Sequence, residues 1–282
     1  MISSKKILII SISSDIGTAL AKHYVNKGFS VAGTYRTASS SLNELAQLGV
    51  NIFPCDLLDD NSTDSACKLL ENWAVFWDAL IICPGNLDPI SKFEDAEFSK
   101  WEKSLKINFI APMRVVRKLL PSRNITKRSA PTVLFFAGGG SNSAPNLFSA
   151  YTVSKIALTK MCELLDAEHD DTKFVIIGPG WVRTKIHATT LAAGEEIGFP
   201  HKQTVKRLKE NLFVSMSTVI DCCDWAIHAP HKAVSGRNIS AENDQWGNPI
   251  LISNLINDPN MYKLRREGNS WSSQNKLNNL PK

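Results

Sequence analysis

Short runs of β-branched and other apolar residues alternate with longer stretches of helical periodicity along most of the chain. That alternation constrains the fold more than any other feature. The spacing predicts strands at Lys6–Ser11, Val31–Tyr35, Val50–Cys55, Ala79–Cys83, Thr132–Phe136, Lys173–Ile177 and Asn238–Ser240. Helices are expected between them at Ile16–Lys27, Ser41–Leu48, Asn61–Trp73, Phe98–Leu120, Ala150–Ala167 and Ser217–His228. Strands that are apolar without alternation must be covered on both faces, and right-handed crossovers then give an α/β, doubly wound parallel sheet. Two regions break the rhythm. Residues 184–214 carry much charge and a Gly-Phe-Pro interruption, and are expected to form an insertion above the strand ends, a substrate lid. From about residue 268 to 282 the chain is polar and Asn/Ser-rich, with Trp271 as its large apolar residue, and is expected to be a tail outside a single domain spanning residues 1–267.

Composition narrows the class of partner. A formal charge of +5 over 282 residues suits an anionic small ligand and lacks the concentrated basic face that a nucleic-acid partner demands. No run of about 18 apolar residues is present and the N-terminus has no signal-like apolar stretch, so a cytoplasmic protein without membrane association is expected. Six cysteines (Cys55, Cys67, Cys83, Cys162, Cys222 and Cys223) form no CxxC pair and read as reduced, buried thiols. His187 and His201 have no carboxylate or histidine partner at metal-ligand spacing, so no metal site is expected.

In a doubly wound sheet, ligands bind at the strand C-termini, where helix N-termini aim their amides at phosphate. The first strand runs into Ser11-Ile12-Ser13-Ser14-Asp15-Ile16-Gly17 and opens a helix. Ser13 and Ser14 are candidate donors to phosphate oxygens. Asp15 is electrostatically wrong there unless it turns away to cap the helix. After the second strand no acid is positioned for a ribose 2′-OH. Arg36 is there instead, a planar fork suited to a 2′-phosphate, the alternative being an arginine on a solvated loop.

Farther along, Tyr151-Thr152-Val153-Ser154-Lys155 opens a predicted helix. Tyr151 and Lys155, at i and i+4, share one helical face, and a neighbouring ammonium is expected to pull the phenol down from about 10 toward working pH. That is the requirement for a general acid/base in carbonyl–alcohol interconversion. With the later Pro179-Gly180-Trp181-Val182-Arg183-Thr184, this ordering resembles the short-chain dehydrogenase/reductase family over roughly residues 5–245, and implies a Rossmann fold and a nicotinamide cofactor. The family pattern places glycines at Ser11, Asp15 and Gly17, and only Gly17 is retained. Ile82-Cys83-Pro84-Gly85 stands where the family has Asn-Asn-Ala-Gly, and again only the last glycine survives.

The resemblance implies that Ser11, Ser13, Ser14, Ile16 and Gly17 face the cofactor phosphates and that Arg36 selects NADP(H). It places Asp56 and Leu57 at the adenine, with Gly85, Tyr151, Lys155, Pro179, Gly180, Val182 and Thr184 along the nicotinamide half. Asn108 matches the asparagine that supports a proton-relay water. The family's active-site serine falls at Gly138, so Ser141, or Ser143, or the amides of Gly138-Gly139-Gly140, must supply the substrate-oxygen donor. The resulting expectation is an NADP(H)-dependent oxidoreductase on a small molecule. The basic lid (Arg183, Lys185, Lys202, Lys206, Arg207, Lys209) suggests an anionic substrate such as a sugar nucleotide of surface-polysaccharide metabolism or an acyl-carrier thioester. The family also implies a homodimer or homotetramer. The alternative from a different class is a catalytically impaired nucleotide-binding sensor or scaffold, for which the eroded glycines and the missing serine argue.

Overall fold

The computed structural model describes residues 5–126 and 129–266. The tail expected at residues 268–282, with Trp271, lies outside the described residues. Seven strands form one parallel sheet: β1 (Lys6–Ile10), β2 (Ser30–Tyr35), β3 (Asn51–Pro54), β4 (Ala79–Ile82), β5 (Thr132–Phe136), β6 (Lys173–Gly178) and β7 (Arg237–Ser240). Their spatial order is β3-β2-β1-β4-β5-β6-β7, so the chain reverses direction across the sheet between β1 and β4. Crevices for ligands open at such a switch point, outside the carboxyl ends of the strands.

The period of two in each strand sorts its side chains into two cores. Ile7 and Ile9 of β1 face one layer with Val175, Ile177, Val219 and Cys223, whereas Leu8 and Ile10 face the other with Leu80, Phe135, Leu158 and Phe174. The helices covering the sheet are α1 (Asp15–Asn26), α2 (Ser40–Gln47), α3 (Asp60–Ala74), α4 (Phe98–Leu105), α5 (Ala111–Leu119) and α6 (Ser149–Glu168). They are followed by α7 (His187–Ala192), α8 (Phe199–Lys209), α9 (Met216–His228), α10 (His231–Val234) and α11 (Pro249–Asn257). α1 ends where Gly28, at φ 79, takes the left-handed turn that side chains avoid. All six cysteines are buried and free.

Two expectations about the helices need correction. The single helix expected over Phe98–Leu120 is interrupted by a π-turn at Lys106–Ile110, with the Ala111 amide donating to the Lys106 carbonyl five residues back. Pro112 has no N–H for the Asn108 carbonyl, which loosens the ladder where the turn widens. The pattern of apolar residues predicts no helix at α11, which is capped by Asn248, whose side chain accepts from the Ile250 amide, with Pro249 in its first turn. Residues 184–214 hold α7 and α8, and their ends are pinned by a bridge between Val182 and Val214.

Candidate active site

The turn after β1 is built tightly. Ser11 adopts φ 58, a conformation costing a non-glycine residue about 1 kcal/mol or more. Its amide donates to Thr34 Oγ1 at 3.1 Å, and the Ile12 amide donates to the Thr34 carbonyl at 2.8 Å, tying the turn to β2. Gly17 is required by close approach, because a Cβ there would stand 2.7 Å from the Ser11 carbonyl and 2.8 Å from Ser14 Oγ. The amides of Asp15 and Ile16, the first of α1, have no intrahelical acceptor and are free to meet an anion.

Two side chains of this turn behave differently from the expectation. Ser14 caps α1, its Oγ accepting from the Gly17 amide at 3.0 Å, so that lone pair is committed to the protein. Asp15 does turn away, but toward residue 185 rather than onto its own helix. Its Oδ2 accepts from the Lys185 amide at 2.7 Å, while Lys185 Nζ donates to the Ser13 carbonyl at 2.6 Å. Arg36, Asp56 and Leu57 stand apart at the ends of β2 and β3. Arg36 is exposed and has no partner among the described residues. Asp56 accepts from the Leu58 amide at 2.9 Å, which fixes its loop, and Leu57 is buried.

α6 places Tyr151 and Lys155 one turn apart, as their spacing dictates. Lys155 is 3% exposed, and its Nζ donates to the carbonyls of Phe136 at 3.0 Å and Pro84 at 3.3 Å. Burial lowers its pKa to about 8, with the Cys83 thiol opposing. The expectation that the ammonium would lower the tyrosine is overturned: burial pushes the Tyr151 phenol up to about 12. The ammonium lies 5.9 Å from the centre of the Tyr151 ring and spends its hydrogen bonds on backbone carbonyls, so desolvation of the phenol wins.

The missing serine has a geometric counterpart. A Cβ on Gly138 would fall 2.6 Å from Cε1 and 2.8 Å from the hydroxyl of Tyr151, so the phenol occupies the room a side chain would need. Ser141 Oγ, on the same loop, is buried and has no hydrogen-bond partner among the described residues. Asn108 is fully buried in the π-turn. Its Oδ1 accepts from the Asn86 amide at 2.8 Å and its Nδ2 donates to the Asn86 carbonyl at 2.9 Å, which clamps the loop that follows Gly85.

The segment after β6 completes the crevice. Gly180 turns at φ 72 after Pro179, Val182 bridges Val214, and the Thr184 carbonyl accepts from the His187 amide at 3.3 Å. The side chain of Ile186 reaches to 3.3 Å from where a Cβ on Gly85 would stand. Trp181 and His187 stack at 3.8 Å, and burial lowers the His187 pKa. The basic lid is less free than its composition suggested. Arg207 lies over the Trp181 ring at 5.5 Å, Arg183 over Phe213 at 5.7 Å, and Lys185 is bound to the turn after β1. Lys202, Lys206 and Lys209 remain exposed.

Tyr151, Lys155, Gly138, Cys83 and Ser14 thus converge at the ends of β1, β4 and β5, joined from the lid side by Lys185 and Ile186. These residues fit a nicotinamide dinucleotide: free helical amides and a closely packed Gly17 at the phosphate turn, an unpartnered Arg36 at the end of β2, and a lysine–tyrosine pair at the far end. Sequence reasoning missed the link from Lys185 to Asp15 and the placing of Cys83 between Ser14 and Lys155. The signals available were an acid where the family has glycine and a thiol where it has asparagine.

A sequence profile of the short chain dehydrogenase family matches residues 5–194. A fatty acyl-CoA reductase of Acinetobacter baylyi is 30% identical over 173 residues, 59% of this chain and 58% of that enzyme, so the chain spans under two thirds of that relative's length. An uncharacterized oxidoreductase of Saccharomyces cerevisiae is 26% identical over 84% of this chain and 95% of its own length. The crystal structure of that yeast protein superposes with a TM-score of 0.75 at 22% identity, covering 88% of this chain and 98% of its own. A structure of actinorhodin polyketide ketoreductase with NADPH gives 0.74 at 18% identity, covering 84% and 95%. At these identities, structural likeness establishes the fold alone.

Proposed function

The chain belongs to the short-chain dehydrogenase family, and on that premise we propose that it is an NADP(H)-dependent oxidoreductase interconverting a carbonyl and a secondary alcohol. The observation that carries the reading is the pairing of Tyr151 with Lys155 at the strand ends, the ammonium fixed by two backbone carbonyls and the phenol buried against Gly138. When bound, the nicotinamide supplies or accepts the hydride. Tyr151, held neutral by burial, is in the form that donates a proton to a carbonyl oxygen, so it serves reduction as a general acid. Lys155 would hold the nicotinamide ribose, and Asn108 holds the loop at Asn86 and supports the proton relay. The unpartnered hydroxyl of Ser141 is the donor to the substrate oxygen in place of the serine missing at Gly138. Arg36 selects the 2′-phosphate, supported by its exposure and lack of a partner.

An anionic carbonyl compound is the proposed substrate, with the exposed Lys202, Lys206 and Lys209 as the charges that receive it and residues 184–214 as the lid of a single domain. Of a sugar nucleotide and an acyl thioester, the thioester has the support of the Acinetobacter relative. A homo-oligomer is proposed through the π-turn that leads into α5 and the face of α6, where Ile110, and Val153 and Leu164, are exposed apolar residues. A cytoplasmic setting accords with six free thiols, and no described helix is long and apolar enough to cross a membrane.

Tyr151→Phe tests the chemistry. Turnover of any reduced carbonyl should fall about 10²–10⁴-fold, while NADPH affinity changes less than about twofold. Turnover that survives the substitution removes Tyr151 from the mechanism.

A further inference from the structure

Lys185 lies 170 residues from Asp15 in sequence, yet it grips the turn after β1 at two points. Its amide donates to Asp15 Oδ2 at 2.7 Å and its Nζ donates to the Ser13 carbonyl at 2.6 Å. Next to it, Ile186 reaches over Gly85 at the end of β4. Residues 185 and 186 therefore cross from the end of β1 to the end of β4, over the point where the strand order reverses.

The electrostatics of that turn require a cation. A dinucleotide presents a diphosphate, an anion, at the N-terminus of α1, where the helix offers about half a positive charge. Asp15 places a full negative charge in the same helical turn. Ser14 Oγ is spent on the Gly17 amide, which leaves the Ser11 and Ser13 hydroxyls as neutral donors and no side-chain cation from the turn itself. The other cations nearby are committed: Lys155 to the Pro84 and Phe136 carbonyls, and Arg183 to the Phe213 ring. Among the described residues, Lys185 alone brings an ammonium into hydrogen-bond contact with Ser11–Gly17. That ammonium is exposed, and the Ser13 carbonyl takes one of its three protons, leaving two donors.

We propose that Lys185 is a cofactor-binding residue that holds the diphosphate from the lid side, with Asp15 holding the Lys185 backbone in register. This rests on the NADP(H) reading above and adds to it the residue that lets a turn with an acid and one glycine accept an anion. It also makes the lid part of the cofactor site, with Lys185 already seated on the turn that receives the dinucleotide.

The experiment compares two probes on the full chain: NADPH, followed by its fluorescence, and adenosine 2′-monophosphate, followed by calorimetry. The second carries the adenine and the 2′-phosphate but no diphosphate. Lys185→Met should weaken NADPH about tenfold, flatten the dependence of NADPH affinity on salt, and leave the monophosphate unchanged. Lys185→Arg should keep most of the NADPH affinity. Asp15→Asn, which retains an acceptor for the Lys185 amide while removing the charge, should tighten NADPH a few-fold. Arg36→Ala separates the two readings, because it should weaken both probes. Equal NADPH affinity in wild type and Lys185→Met overturns the proposal and leaves the cofactor reading standing. An equal loss for both probes in Lys185→Met also overturns it, by showing a merely structural role. Failure of the wild-type chain to bind either probe overturns the cofactor reading and this proposal together.

Discussion

At the chemical end of the crevice, the side chain missing at Gly138 leaves room that the Tyr151 ring fills from the adjacent helix. At the nucleotide end, the missing glycines leave Ser11 at φ 58 and put Asp15 where an anion should bind, and the molecule answers with backbone strain and a tie from Lys185. The first loss is absorbed by packing between neighbours, at no visible cost. The second is met by a strained residue and a contact from the segment that follows β6. A lost side chain can be replaced by whatever lies beside it, whereas a lost glycine leaves its successor to hold the same conformation under strain.

That contrast is sharpest at Gly138. If the phenol depends on the room there, restoring the family's serine should harm the enzyme. Gly138→Ser puts a Cβ 2.6 Å from the Tyr151 ring, and the ring must move. Displacement on the scale of an ångström costs up to about a hundredfold in rate, so kcat for a reduced carbonyl should fall about 10–100-fold with NADPH affinity nearly unchanged. A kcat equal to or above wild type would show that the phenol does not need that space.

Asn108 tests whether the two ends are mechanically joined. It clamps Asn86 through two hydrogen bonds, at 2.8 and 2.9 Å, beside the Gly85 that Ile186 covers. Asn108→Ala strands both backbone groups, and the chain should lose about 1–3 kcal/mol in urea unfolding. A loss below about 0.5 kcal/mol would mean that the loop does not depend on the clamp.

The smallest effect is expected at Ser11. Ser11→Gly relieves the left-handed backbone and should stabilise the chain by about 0.5–1 kcal/mol. A decrease in thermal midpoint would show that the serine side chain contributes more than its strain costs.

The strands and most helices were legible because each is dictated locally. Lys6–Ile10 is apolar at nearly every position, and Gly28 marks the end of the helix before it. The break at Lys106–Ile110 was less legible, since the pattern of apolar residues continues through it and only Pro112 hints at a disturbed ladder. The place of Tyr151 and Lys155 on one helical face followed from spacing alone. The direction of the Tyr151 shift did not, because burial and the choice of Lys155 between the phenol and two carbonyls are decided by β4, β5 and the loops after them. The bond from Asp15 to Lys185 joins residues 170 apart, and no local pattern announces it.

The central claim is that the chain binds NADPH in preference to NADH, through Arg36 and the turn Ser11–Gly17. The direct measurement is a fluorescence titration of the wild-type protein with each cofactor in parallel. NADPH should bind at least about tenfold more tightly than NADH. Equal affinity would remove Arg36 from cofactor selection, and binding of neither would contradict the claim outright.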